Sequence, residues 1–320
     1  MIEQISRLGD CGNPHAGRKD LYLMNKLFFA LSWMVLFLSC TENSGKTNES
    51  EKEVAFKFAF MTDVHMSHNN AETSAAGLKQ ALDHAKSENV DFVIFGGDLM
   101  DLDHLQPQDS VKAESVVERF KSVVAESGVK AYFTIGNHDR YYTFQHEADS
   151  AGYKLFEMHF GDTYYSFDHK GVHYVILNSV QINEETKNYS VGPMQLEWLK
   201  ADLATISPET PLVVVTHVPF QSLYYPAMEG MVKDVDMFSN FKEVWDLLLG
   251  YDLKVIFQGH QHLYEEMFVN RTHFVTGGAV CASWWGGPLL DTEEGYMLVD
   301  VYDDGSMSWR YMDYGWEAEK

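Results

Sequence analysis

From residue 54 onward the hydrophobic positions switch between two periods. "VAFKFAFMTD" (54–63) alternates and then runs apolar, which predicts a strand. "AAGLKQALDHAKSE" (75–88) repeats its apolar residues at helical spacing, and "DFVIFGGD" (91–98) reads as a short buried strand. "SVKAESVVERFKSVVAES" (110–127) is an amphipathic helix closed by Gly128, and "VKAYFTIGNHD" (129–139) supplies a third strand. That order implies parallel pairing through right-handed crossovers. Further on, "TYYSFDHKGVHYVILNS" (163–179) predicts a hairpin turning at His169-Lys170-Gly171. A helix over 193–206 with Pro193 in its first turn, an apolar strand over 211–220, a helix over 238–250 and a strand over 253–262 follow. Three more strands are expected at 272–276, 295–302 and 306–314. No repeat, low-complexity block or linker interrupts this part, so 54–320 is expected to form one α/β domain with two sheets and outer helices.

The chain before residue 54 has another character. In "MNKLFFALSWMVLFLSC" (24–40) Lys26 forms a short positive start, and the twelve mostly apolar residues Leu27 to Leu38 are too few for a spanning helix, which takes about 20. They suit the apolar core of a signal peptide. Cys40 directly after that core resembles a bacterial lipoprotein signal, although Phe37 and Leu38 stand where such signals carry Leu and a small residue. Residues 1–40 are thus expected to be leader and signal peptide, with Met24 as the true start. Residues 41–53, polar and without apolar period, are expected to be a flexible tether. The implied location is exported, periplasmic or at the cell envelope, with membrane contact only through a lipid on Cys40.

Chemistry-bearing residues gather where the predicted strands end. The first ends in Asp63 and His65, the second in Asp98, and the third in Asn137, His138 and Asp139. The strand at 211–220 carries His217, and the one at 253–262 ends in His260 and His262. Singly, each has an ordinary explanation: a helix cap, a turn residue, a solvated loop histidine. Jointly, five strand ends converge on the rim where open α/β sheets bind ligands. Carboxylates, imidazoles and an amide oxygen, with no thiolate, suit Mn, Fe, Zn, Co or Mg. Seven side chains fill eight ligand positions if one carboxylate bridges two ions. Two such ions clamp an in-line displacement at phosphorus and supply a hydroxide at neutral pH. Lowering the pKa of water from about 15.7 to about 7 removes a deprotonation cost on the order of 12 kcal/mol.

The series D-x-H, G-D, G-N-H-[DE], H, G-H-x-H, from about residue 58 to 265, resembles the calcineurin-like metallophosphoesterase superfamily. The resemblance implies a four-layer α/β/β/α sandwich, the metallophosphatase fold, with two central mixed sheets flanked by helices. It implies two divalent ions (Mn, Fe, Zn or Co). Asp63, His65, Asp98 and His262 would hold one, and Asp98, Asn137, His217 and His260 the other. His138 would assist the phosphoryl or leaving oxygen, with Asp139 orienting it. Asp101 stands where purple acid phosphatases of this superfamily place a tyrosine ligand, which argues against that branch, and the single-domain layout with its short GHQH ending looks more like the cyclic-nucleotide and glycerophosphodiester phosphodiesterase branch.

Composition narrows the partners. A net charge of −23 excludes the basic footprint that nucleic-acid binding needs, and losing residues 1–39 removes four basic and three acidic side chains, which leaves that acidity in place. A small phosphoester must therefore be held by local positive charge. Aromatic segments follow several motifs: "DRYYTF", "VPFQSLYYPAMEGM" and "CASWWGGP". Arg140 is a candidate phosphate contact, and Trp284 with Trp285 a candidate stacking platform, core packing being the alternative. His68 and His104 read as solvated loop residues, and Cys281 as a small buried one. The leading expectation is a phosphoric ester hydrolase acting on phosphodiesters or phosphomonoesters. The alternatives are a protein serine/threonine phosphatase and an inactive surface-binding lipoprotein.

Overall fold

Alternate residues of the first strand serve two different layers. Phe58 and Phe60 point into one apolar cluster, while Ala59 and Met61 belong to another, and all four are fully buried. This is a computed structural model, and it describes residues 52–142, 149–231 and 237–318. The expected leader, signal segment, Cys40 and most of the tether lie outside the described residues.

The elements run β1 (Val54–Met61), α1 (Ala71–Ser87), β2 (Phe92–Phe95), α2 (Ser110–Ser127), β3 (Lys130–Phe133), α3 (Lys154–Phe160), β4 (Tyr165–His169) and β5 (Val172–Ile176). There follow β6 (Gln181–Ile182), β7 (Tyr189–Ser190), α4 (Pro193–Leu203), β8 (Pro211–Val215), α5 (Tyr224–Met228), α6 (Phe241–Leu248) and β9 (Asp252–Gln258). The last four are β10 (Tyr264–Val269), β11 (Thr272–Gly277), β12 (Gly295–Tyr302) and β13 (Met307–Asp313).

One sheet has the order β13-β12-β1-β2-β3, with β1, β2 and β3 parallel and β12 and β13 antiparallel additions. The other has the order β10-β11-β9-β8-β5-β4, parallel from β11 to β5 and antiparallel at both edges. Both are mixed. Their facing sides bury Phe58, Phe60 and Phe92 against Tyr174, Val213 and Phe257, with Phe60 and Phe257 stacked at 5.1 Å. Each such side chain contributes about 1.5–3 kcal/mol by leaving water. On the outer sides Phe120 of α2 meets Phe95, and Trp245 of α6 stacks on Phe274 at 5.2 Å. The result is the expected α/β/β/α sandwich. α2 ends at Gly128 (φ 69°) and α4 begins with Pro193, as their sequences predict.

Periodicity did not announce β10. Its sequence, YEEMFV, shows no clean alternation, because it is an edge strand exposed along most of its length and held chiefly by its ladder to β11. The short α3, α5 and the β6–β7 pair were likewise absent from the sequence reading.

Candidate metal centre

The loops that leave β1, β2, β3, β8 and β9 carry the predicted residues, and the backbone sews those loops together. Asp63 and His65 donate their N–H groups to the carbonyls of Gly97 and Asp98, at 3.0 Å each. Gly259 N–H reaches the His217 carbonyl, and Val280 N–H the carbonyl of Thr62. Five of the side-chain bearers sit in the left-handed region: Asp63 (φ 55°), His65 (50°), Asp98 (48°), His260 (74°) and His262 (57°). Such residues cost on the order of 1–3 kcal/mol each and persist where the surroundings over-determine them. Gly97 (φ 96°) completes the cradle, since a Cβ there would lie 2.5 Å from Nδ1 of His217.

Two groups of lone-pair donors result. In the first, Nε2 of His65 and Nε2 of His262 stand 2.9 Å apart. Asp63 Oδ1 lies 3.3 Å from His262 Nε2 and 3.8 Å from His65 Nε2, and Asp98 Oδ2 lies 3.6 Å from His65 Nε2. In the second, Nε2 of His217 lies 3.1 Å from both Asp98 Oδ2 and Asn137 Oδ1. His260 joins Asp98 and His217 within 4.8 Å. Asp98 belongs to both groups.

These separations fit metal ions. Ligand atoms about 2.1 Å from a common ion stand roughly 3.0–3.4 Å from one another when adjacent and up to about 4.2 Å when opposite. The outer nitrogens are already committed: Nδ1 of His65 donates to Asp101 Oδ1 (2.5 Å), that of His217 to the Gly96 carbonyl (2.9 Å), and that of His262 to the Ala282 carbonyl (2.7 Å). Each Nε2 therefore faces inward, where it could serve as the ligand to an ion. The carboxylates are oriented as well, Asp63 by Thr62 Oγ1 (2.6 Å) and the His260 N–H, Asp98 by the His138 N–H (2.8 Å).

The charges follow. Burial resists ionisation at Asp63 and Asp98, but the neighbouring imidazoles outweigh it and hold both well below the usual carboxylate range. Burial likewise opposes charge on His217, yet the Asp98 carboxylate carries it up to about 8. His65 and His262 are raised against the same opposition, through Asp101 and Asp63 respectively. Cys281 packs behind His262, with Sγ 4.0 Å from Nδ1, and burial pushes its thiol up to about 12.

Two expectations are corrected. Asp139 does not orient His138. Its carboxylate is buried and accepts the N–H groups of Met100 (2.9 Å) and Gly136 (2.8 Å), which clamps the loops after β2 and β3. The ring of His138 is held instead by Asp103, Nδ1 to Oδ1 at 2.9 Å. Trp285 is not a platform either. It is buried, donates Nε1–H to the Val64 carbonyl at 3.0 Å, and packs where a Cβ on Gly77 would come within 2.0 Å of its ring. Trp284 is 52% exposed, with its ring 4.4 Å from that of His262.

Arg140 donates Nε–H to the Asn137 carbonyl and lies over the rings of Tyr142 and Tyr189, the latter 6.0 Å from the His260 ring. His68 and His104 are exposed. A cavity of about 350 Å³ opens beside His260 and His262, walled by Tyr224, Tyr225, Trp284 and Leu290. The sequence reading missed Asp101 and Asp103 as supports. Their signal was present: acids three and five residues after Asp98.

The profile described as Calcineurin-like phosphoesterase matches residues 56–264. Purple acid phosphatase 23 of Arabidopsis thaliana is 34% identical over 118 residues, 35% of this chain but 22% of that protein's length. A probable cyclic nucleotide phosphodiesterase of Rhodococcus erythropolis (strain PR4 / NBRC 100887) is 26% identical over 230 residues, 69% of each chain. Among solved structures, a dimetal phosphatase from Danio rerio superposes with a TM-score of 0.57 at 14% identity, covering 80% of this chain and 99% of that one. A purple acid phosphatase from yellow lupin (Lupinus luteus) seeds gives 0.57 at 16% identity, covering 82% and 52%. At such identities the structures show a shared fold.

Proposed function

This chain belongs to the calcineurin-like phosphoesterase family, and we propose that it hydrolyses phosphoesters, phosphodiesters foremost, with two divalent ions as cofactors. The observation that carries this reading is the pair of lone-pair clusters sharing Asp98. Asp63, His65, Asp98 and His262 would hold one ion, and Asp98, Asn137, His217 and His260 the other. Bound there, the ions would offset phosphoryl charge and acidify water. The preference for diesters draws support from the phosphodiesterase relative, which is matched over 69% of both chains.

The chain's own residues do the rest. A ring nitrogen of His138 lies within 4.8 Å of ligand atoms of both His65 and Asp98, beside the space between the clusters. With Nδ1 tied to Asp103, its Nε2 is left to meet a phosphoryl or leaving-group oxygen and to give it a proton. Arg140, fixed over Tyr189, stands on the His260 side as a counter-charge for phosphate. Trp284 and Leu290 form an apolar wall for the organic group. We also hold to export and a lipid anchor at Cys40. The support for this is the sequence itself, the apolar run from Leu27 to Leu38 followed by Ser39 and Cys40.

The test is hydrolysis of bis-p-nitrophenyl phosphate and p-nitrophenyl phosphate with added Mn²⁺, beside Asp98→Ala. Diester turnover that disappears in the variant supports the reading. Monoester turnover alone moves it to a phosphatase, and no turnover by a protein carrying two ions sinks it.

A further inference from the structure

We propose that the chain has a hydrocarbon-binding groove next to the metal-side cavity, and that its substrates are amphiphilic phosphoesters whose alkyl or acyl chain lies in that groove. The substrate part rests on the phosphoesterase reading above. The groove encloses about 710 Å³, within the range of ligand sites. Phe220, Trp245 and Phe274 line it, with Leu223, Met267 and Phe268. Its charged lining residues are engaged elsewhere. Lys242 pairs with Asp246, while Glu266 accepts from His273 (2.8 Å) and Tyr264 (3.1 Å). A ligand therefore meets hydrocarbon.

Position links the groove to the chemistry. Leu223 lines the groove, and the next residue, Tyr224, lines the cavity beside His260 and His262. This shared wall is pinned from the metal side. Ser222 Oγ donates to Gln261 Oε1 at 2.7 Å, Gln258 Nε2 to the Gln221 carbonyl at 2.7 Å, and the Leu223 N–H to Glu265 Oε1 at 2.5 Å. Along β10 the lining runs from Glu266 to Val269, roughly 10 Å away from that wall at about 3.3 Å per residue. Leu223, Phe268 and Val269 stand exposed at the groove, and Trp284 and Leu290 at the metal-side cavity. Exposed apolar clusters of this kind mark binding surfaces. A ligand that spans the shared wall has a phosphoryl group at one end and a chain at the other. The net charge of −23 repels anionic surfaces, so the amphiphile is zwitterionic or weakly charged beyond its phosphoester.

The experiment uses methyl, butyl, octyl and dodecyl p-nitrophenyl phosphodiesters below their aggregation limits. Water bonds to phosphorus, the aryl P–O bond breaks, p-nitrophenolate leaves with the electron pair, and protons pass to buffer. A buried methylene is worth at most about fourfold, so kcat/KM should rise roughly tenfold or more from butyl to octyl. Phe268→Asp, at an exposed position, should flatten that rise. A flat series in an active wild type overturns the inference and leaves the phosphoesterase reading standing. No turnover of any member, the methyl ester included, sinks that reading and the substrate claim with it. The groove itself is then decided by dodecylphosphocholine binding to EDTA-treated protein, compared with glycerophosphocholine. One-to-one binding of the former alone, lost in Phe268→Asp, supports it, and no binding removes it. Dimerisation through this face, seen by sedimentation and broken by Phe268→Asp, overturns the proposal in favour of a second copy.

Discussion

Asp103 holds the ring of His138 at 2.9 Å, although Asp139 is its neighbour in sequence. Burial disfavours charge on His138, but Asp103 and the Asp98 carboxylate outweigh it and raise its pKa. If His138 moves the leaving-group proton, His138→Ala should lower kcat about 10²–10⁴-fold. Asp103→Ala should lower it about 10–100-fold, the usual range for the partner of a working imidazole. Steady-state kinetics on an ester with a poor leaving group should show both losses, and a substrate with a very acidic leaving group should recover much of them. Equal losses on both substrates would remove the acid role.

Asp139 predicts a different phenotype. Asp139→Ala leaves two buried N–H groups without their acceptor, which costs on the order of 2–5 kcal/mol. Asp139→Asn keeps one acceptor oxygen and should cost less. Urea denaturation should place Asp139→Ala well below wild type. A variant with native stability but no activity would return Asp139 to a direct catalytic role.

Metal content should follow the cluster geometry. The wild type is expected to bind two divalent ions per chain, Asp98→Ala the fewest, and His262→Ala and His217→Ala one each. Elemental analysis after dialysis reads this directly. EDTA should lower the melting temperature, because ions at about 100 times their dissociation constant stabilise by about 2.7 kcal/mol. Equal content in all four proteins would refute the assignment.

The adjacent tryptophans should separate cleanly. Trp285→Ala removes a buried ring and should cost about 3–5 kcal/mol. Trp284→Ala changes an exposed residue and should shift stability by less than about 0.5 kcal/mol, while raising KM for substrates with a bulky organic group. Denaturant melts and kinetics on the two variants decide it, and the reverse pattern would overturn the assignment of the cavity.

Asp91 ties the β4–β5 turn to β2. It accepts from His169 Nε2 and Lys170 Nζ, at 2.8 Å each. Partial burial works against its ionisation, but these two partners lower its pKa. A lowered folded pKa means stability that is present above the unfolded value of about 3.9 and lost as pH falls through the folded one. Asp91→Asn should therefore cost up to about 1 kcal/mol at pH 7, with the gap to wild type closing in strong acid. Thermal melts across pH would show it, and a gap that widens in acid would contradict the sign.

What the sequence determined by itself was the layout. Period-two and period-3.6 runs place β1, α1, β2, α2, β3, β8 and β9, and the residues closing those runs are Asp63, His65, Asp98, Asn137, His217, His260 and His262. A strand's end is legible because its side-chain period is regular, and parallel connection carries such ends to one rim. The next layer depends on packing between loops. In the loops after β2 and β3 no period says where a side chain points, so Asp103 and not Asp139 meets His138, and Asp101 lies behind His65. Trp284 and Trp285 carry the same composition signal but face opposite surroundings. The left-handed backbone at five candidate ligands, and the wall between cavity and groove, arise from contacts between segments far apart in sequence. Local chemistry names such residues, and packing between distant loops assigns their partners.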